Sequence, residues 1–306
     1  MNWALVLSGG GARGLAHIGV LQALEEIGCP LPSLVCGCSM GAIVGGLYAS
    51  GMSPRAMKEW FGTSFDVTDC LSEPGTRLPW VPFSRLFRIG QGLRNLIGED
   101  GMDSGARLHE ILVELSRGKT FNETIVPFAC NATDLLTGEE VVQGRGLIAD
   151  AMRASSSFPG VFSPVRQDGM LLADGYLSRN TPVWIARTRG IGTVFAVYLD
   201  RFGPIQPDGI RSAFDTVLRA LDCTVNARKP ERRDIPTASI CVESERSAFD
   251  FSRPDAQIDS GYRLAMANRD YIEAFFATGP AGAVNRALMG RAERRGTRYR
   301  GRYSRS

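Results

Sequence analysis

Short apolar runs alternate along this chain with longer stretches in which hydrophobic side chains recur at helical spacing. Runs near 3–8, 33–37, 127–133, 139–142, 170–173, 193–199 and 237–242 are predicted as strands, short and apolar enough to be buried. Between them, Leu15 to Ile27, Ala42 to Ser50 and Ala106 to Arg117 carry helical patterns. Pro254 to Thr278 is predicted as one long helix with aromatic anchors at Tyr262, Tyr271, Phe275 and Phe276. Strands and helices in alternation predict an α/β core whose sheet is covered on both faces. The chain has 306 residues, 44% of them hydrophobic, enough for one large core, and it shows no internal repeat.

The pattern loosens in two places. Between Phe61 and Gly105 it gives way to proline, glycine and aromatic residues, with Arg77, Arg85, Arg88 and Arg94 interleaved. Phe83, Leu86 and Phe87 fall on one helical stripe, which reads either as a lid or membrane-facing flap at 77–97 or as an ordinary amphipathic helix on the core. The second place is the C-terminus. Arg286 to Ser306 holds eight arginines against one glutamate, a balance of +7. The whole chain carries +3, so residues 1–285 sum to −4 and form the predicted domain. Gly296, Gly301 and interleaved Ser and Tyr predict a mobile basic arm from 286 onward. Anionic lipid or an acidic partner suits such an arm, as does plain solvation; nucleic acid is not expected.

Chemistry concentrates at glycines. Trp3 to Leu7 leads into Ser8-Gly9-Gly10-Gly11-Ala12-Arg13-Gly14 and then a helix, an order that converges backbone N–H groups on an anion. Ser33-Leu34-Val35-Cys36 leads into Gly37-Cys38-Ser39-Met40-Gly41 and a second helix, which presents Ser39 on a sharp strand-to-helix turn. The first loop lacks the lysine and Ser/Thr of a phosphate-binding loop, and no acidic residue closes the next strand. Oxyanion hole plus nucleophile therefore fits better than a nucleotide cradle.

A nucleophilic serine needs a base, and the chain has two histidines. His109 flanks the apolar face of a helix, a boundary position, and His17 lies within the first helix as a packing or hydrogen-bonding residue. A histidine triad is not predicted. Asp174, at the end of Leu171-Leu172-Ala173 and followed by Gly175, is the carboxylate candidate; a hairpin turn is the plain alternative for that dipeptide. Desolvation would raise its basicity.

In order along roughly 1–200, these segments resemble the patatin-like phospholipases. Gly9-Gly10-Gly11-Ala12-Arg13-Gly14 resembles their oxyanion-hole loop and Gly37-Cys38-Ser39-Met40-Gly41 their nucleophile elbow. Cys130 to Gly138 is similar to a strand-and-turn segment, Ala154 to Val165 to the Ser-rich stretch before the acid, and Asp174-Gly175 to the start of the Asp-Gly-Gly/Ala motif. The resemblance implies a three-layer α/β/α sandwich with a mostly parallel central sheet, and a Ser39–Asp174 dyad that cleaves lipid or other acyl esters without metal or cofactor. Tyr176 stands where the family has a small residue, so Met40 and Tyr176 are read as lining the substrate pocket. Arg13 reads either as a contact for a substrate phosphate or as a buttress of its loop. Acyltransferase or thioesterase chemistry, and a non-catalytic regulator on the same scaffold, are the alternatives.

Two further expectations concern location. Met1-Asn2-Trp3 enters the first strand directly, without a secretory leader, and seven cysteines without metal-ligand spacing suit a reducing compartment. The expectation is a cytosolic protein, peripheral at most to the inner membrane face.

Overall fold

The computed structural model describes residues 1–64, 70, 103–199, 202–205, 210, 213–227, 230–244 and 247–296. The candidate flap at 77–97 and residues 297–306 of the basic segment lie outside them. Eight strands form one sheet: β1 Ala4–Leu7, β2 Leu34–Gly37, β3 Phe128–Asp134, β4 Glu140–Gln143, β5 Val165–Gln167, β6 Met170–Asp174, β7 Val194–Leu199 and β8 Ala238–Val242. The helices that matter below are α1 Ala16–Ile27, α2 Met40–Ser50, α3 Pro54–Glu59, α4 Ala106–Ser116, α5 Ile148–Ser155, α6 Val183–Thr188, α7 Ala213–Ala227, α8 Pro254–Ala267, α9 Arg269–Phe276 and α10 Gly279–Arg294.

Strands β3, β2, β1, β7 and β8 lie side by side in parallel, in that order. Successive residues along each strand face opposite sides. Trp3, Leu5, Leu7, Val35, Phe128, Phe195 and Val197 join a large core with α1, α2, α4, α5, α8 and α9. Ala4, Val6, Leu34, Cys36, Ala129 and Ala196 face a smaller core under α6. The sheet is thus a mostly parallel layer with helices on both sides, as the apolar alternation predicts. Trp3 meets Phe275 and Phe276 edge-on, with ring centroids 6.3 and 4.8 Å away, and so ties the first strand to α9.

Three sequence expectations change. β5 is an additional strand, three residues long with a polar centre, too short to show a period; Asp168 and Gly169, both at positive φ, turn it into β6. The helix expected over Pro254 to Thr278 is two, because Asn268 donates its side-chain amide back to the Leu264 carbonyl (2.8 Å) and departs from helical geometry. The arm expected to be mobile from Arg286 is helical through Arg294. Met289 is fully buried, and the Arg286 guanidinium caps the end of α9 through the carbonyls of Phe275 and Ala277, both at 2.8 Å. Gly296 follows the last turn at φ 63°, where a glycine ends a helix rather than forbidding one. Among the described residues no helix is long and apolar enough to cross a membrane.

Candidate active site

The turns after β1 and β2 meet at the C-terminal end of the parallel strands. Ser39, between β2 and α2, has φ 52° and ψ −124°, a conformation that a side chain tolerates only when its surroundings impose it. They do so through close backbone contact. A Cβ on Gly37 would run into the carbonyl of Gly41, and one on Gly41 into the carbonyls of Leu7 and Ser8. The elbow glycines are therefore required by backbone packed on backbone.

Register brings the aspartate to the serine. Cys130 of β3 pairs with Gly37 on one side and Gln143 on the other. Two residues on, Ala132 pairs with Val141 and with Asp174. Strand β4 takes one edge throughout, so β2 and β6 share the other, end to end and pointing at each other. Asp174 consequently lies two rungs above Gly37, about 7 Å along β3. The Ser39 hydroxyl donates to Asp174 Oδ2 at 2.7 Å.

Asp174 is wholly buried. Its Oδ1 accepts from the Tyr176 amide at 2.8 Å, with the Cys38 thiol 3.9 Å away. Its own N–H donates to Ser157 O (3.0 Å), and its carbonyl accepts from the Thr133 hydroxyl (3.0 Å). Burial pushes the carboxyl pKa up from 3.8 to about 7; the hydrogen bonds from Ser39, Tyr176 and Cys38 pull against that rise. The group is thus a stronger base than an exposed carboxylate, and the Ser39 hydroxyl donates to it without an intervening residue.

The Ser-rich stretch explains itself here. Ser155 Oγ accepts the Ser39 amide (2.9 Å), and Ser157 supplies the carbonyl under Asp174, so consecutive turns at the end of α5 hold both residues. Arg153, 4% exposed, fixes that end by donating to Ser157 Oγ (2.5 Å) and to the carbonyls of Gly105, Ser104 and Ser163. Asn131, wholly buried, donates to the Gly175 and Arg179 carbonyls and to Glu140. Sequence reasoning gives none of Thr133, Asn131 and Arg153 a role.

The glycine loop is clamped to the same ensemble. Asn180 accepts the Gly9 amide at its carbonyl (3.1 Å) and returns its side-chain amide to Gly9 O (3.3 Å). Ala12 N–H donates to Ala248 O (2.7 Å). Of the loop residues read as an oxyanion hole, Gly9 and Ala12 thus have amides already engaged. Gly10 and Gly11 are half-exposed, and among the described residues their amides meet no acceptor. A Cβ on Gly9 would stand 3.1 Å from Ser39 Cβ, so the loop crosses directly over the serine. Gly14 and Arg13 belong to the following 3-10 turn, Gly11–Leu15, with Arg13 near enough for its charge to act on the Tyr176 phenol.

Met40, read as pocket-lining, is the first residue of α2. It is buried in the large core, its side chain filling the space beside Gly14. Tyr176 faces outward instead: its hydroxyl donates to Asp222 on α7, and its ring lies 6.1 Å from Phe158, which in turn is 5.7 Å from Phe249. The phenol is held protonated by burial and by that carboxylate. Neither histidine touches the dyad. His17 is buried, donates Nε2–H to Ser8 O (2.8 Å) and has its pKa pushed down to about 4 by desolvation. His109 pairs with Asp150 at 2.7 Å on the surface. Among the described residues no three His, Cys, Asp or Glu gather around a common point.

A parallel α/β sheet that presents a strained serine at one strand end and a buried acid at the next defines a class, and the sequence agrees with it. The chain belongs to the patatin-like phospholipase family, whose model matches residues 5–187. It is 30% identical over 293 residues to an uncharacterized NTE family protein of Mycobacterium tuberculosis, covering 86% of this chain and 46% of that protein. It is 32% identical over 197 residues to lysophospholipase NTE1 of Candida glabrata, covering 63% of this chain and 10% of that one. The chain thus spans less than half the length of either relative. VipD of Legionella pneumophila shares the fold, with a TM-score of 0.50 at 16% identity over 88% of this chain and 66% of VipD.

Proposed function

We propose that this chain is a serine acyl hydrolase that cleaves acyl esters of lipids through the pair Ser39 and Asp174. The observation that carries the reading is the 2.7 Å hydrogen bond from Ser39 Oγ to a fully buried carboxylate with a raised pKa. The family and the fungal lysophospholipase support lipid esters as the substrate class.

In the first step Ser39 Oγ attacks the ester carbonyl and its proton passes to Asp174 Oδ2. The carbonyl oxygen becomes an oxyanion, which the free amides of Gly10 and Gly11 are placed to receive, helped by the N-terminus of α2 behind the serine. Collapse of the tetrahedral intermediate breaks the ester bond, and Asp174 returns the proton to the departing alcohol. Water then attacks the acyl-serine, its proton going to Asp174, and the fatty acid leaves as Ser39 recovers its hydrogen. One carboxyl group therefore serves as base and acid in turn, a task suited to a pKa near the working pH. Tyr176, Phe158 and Phe249 form an aromatic wall beside the dyad, which we assign to the acyl side of the substrate.

Ser39→Ala and Asp174→Asn test this. Each is expected to lower hydrolysis of a short-chain ester and of a lysophospholipid by roughly a thousandfold or more, with unchanged circular dichroism. Activity within tenfold of the parent in either variant refutes the assignment.

A further inference from the structure

A cavity of about 310 Å³ opens at the far end of the sheet from the dyad, where the chain enters β7 and β8. Its walls carry Arg187 from α6 and Arg286, Arg291 and Arg294 from α10, together with Thr237 and Gly290. Among the described residues no carboxylate lines it. The acidic groups nearest along the chain are engaged elsewhere: Glu293 accepts from Ser239 Oγ (2.6 Å), Asp234 takes Arg179, and Glu231 takes Arg233 (2.8 Å).

Two of the four guanidinium groups are held in place. Arg187 donates to the carbonyls of Gly192 and Ile235, and Arg286 to those of Phe275 and Ala277. Arg291 and Arg294 are exposed at the mouth, and among the described residues no hydrogen bond or ion pair occupies them. The end of α10 favours positive charge at Arg291 and Arg294 through its dipole. That does not account for Arg187, which arrives from a different helix into the field of Arg294 and Arg232 and is disfavoured as a cation there by burial and by those charges.

Like charges converging on one concavity repel one another, and an anion between them relieves that repulsion. We propose that this cavity binds a phosphate-bearing ligand carrying two or more negative charges. The unoccupied guanidinium forks of Arg291 and Arg294 match tetrahedral phosphate oxygens, Arg187 and Arg286 add their charge, and the volume lies at the small end of the range for ligand pockets. Because it lies at the opposite end of the parallel strands from Ser39, the ligand is a second molecule and not the ester being cleaved. Arg286, Arg291 and Arg294 of the basic stretch thereby acquire a purpose.

The test uses the full chain and pyrophosphate as probe, with isothermal titration at constant ionic strength. The Arg291→Ala/Arg294→Ala double variant removes the two exposed donors and leaves the two structural ones. Pyrophosphate is expected to bind the parent and to bind the variant roughly tenfold more weakly or worse, while both hydrolyse a short ester equally and melt alike. A parallel arm uses vesicles with and without phosphatidate: retention of the parent alone, without pyrophosphate binding, assigns the same phosphate chemistry to a lipid headgroup. Failure of both probes, equal binding by the variant, or equally tight binding of citrate overturns the proposal. Binding is read directly, so the result stands apart from the hydrolase assignment.

Discussion

The serine and the aspartate are held by opposite means. Around Ser39 the structure works by removing side chains: Gly9, Gly37 and Gly41 let three backbone segments approach until one added carbon would collide. Around Asp174 it works by supplying them: the Thr133 hydroxyl donates to the Asp174 carbonyl, Asn131 donates to the carbonyl of Gly175, and Arg153 fixes Ser157, whose carbonyl accepts the Asp174 amide. The difference shows that a strained serine is fixed by sterics, which scarcely yield, whereas a buried acid is fixed by polar contacts that can be traded singly.

The largest effect is therefore expected on the glycine side. In Gly41→Ala the new methyl meets the carbonyls of Leu7 and Ser8, and Leu7 lies in the central strand β1, so neither partner has room to move. We expect a loss of roughly 3 kcal/mol or more in unfolding free energy. On the other side, Thr133→Ala removes one hydrogen bond to the Asp174 carbonyl, at a cost of about 1 kcal/mol. Urea denaturation of the two variants makes the comparison, and equal midpoints would erase it.

Asp174 gives an effect of comparable size, and its sign follows from burial. The folded pKa is about 7 against 3.8 for the free group, so the native state holds this proton more tightly than the unfolded chain does. The stability this confers is complete below about pH 4 and is lost as pH rises through 7, a swing on the order of 4 kcal/mol. Asp174→Asn removes the swing. It is expected to be more stable than the parent at pH 8 and no more stable at pH 4, and a gap independent of pH contradicts the burial argument. The parent's kcat/KM should correspondingly rise with pH about a midpoint near 7, as the carboxylate forms.

Much of this was legible in the residues because its causes are local. Seven of the strands follow from short apolar runs, and the elbow from glycines at fixed offsets from Ser39. What escaped depends on distant partners. The engagement of the Gly9 amide requires Asn180, far along the chain, and no spacing announces it. Met40 follows Ser39 directly and reads as pocket-lining, yet α2 carries it in the large core. The helix through Arg286 to Arg294 is masked by the glycines and interleaved Ser and Tyr that follow it, although Met289 and the carbonyls capped by Arg286 are what hold it. The serines of α5 were visible as a pattern, but their task appears only once β6 is laid against β3.

The smallest expected effect tests whether the acid side is complete without an imidazole. His109 donates to Asp150 at 2.7 Å, but their side chains are 36% and 48% exposed, and pairs of that kind contribute at most about 1 kcal/mol. His109→Ala should leave kcat and KM for a short ester unchanged and shift the unfolding free energy by no more than that amount. A variant that kept its fold while losing kcat tenfold would bring a histidine into the proton path. Asp174 would then orient the base instead of being it, and the buried carboxylate with its raised pKa would need another explanation.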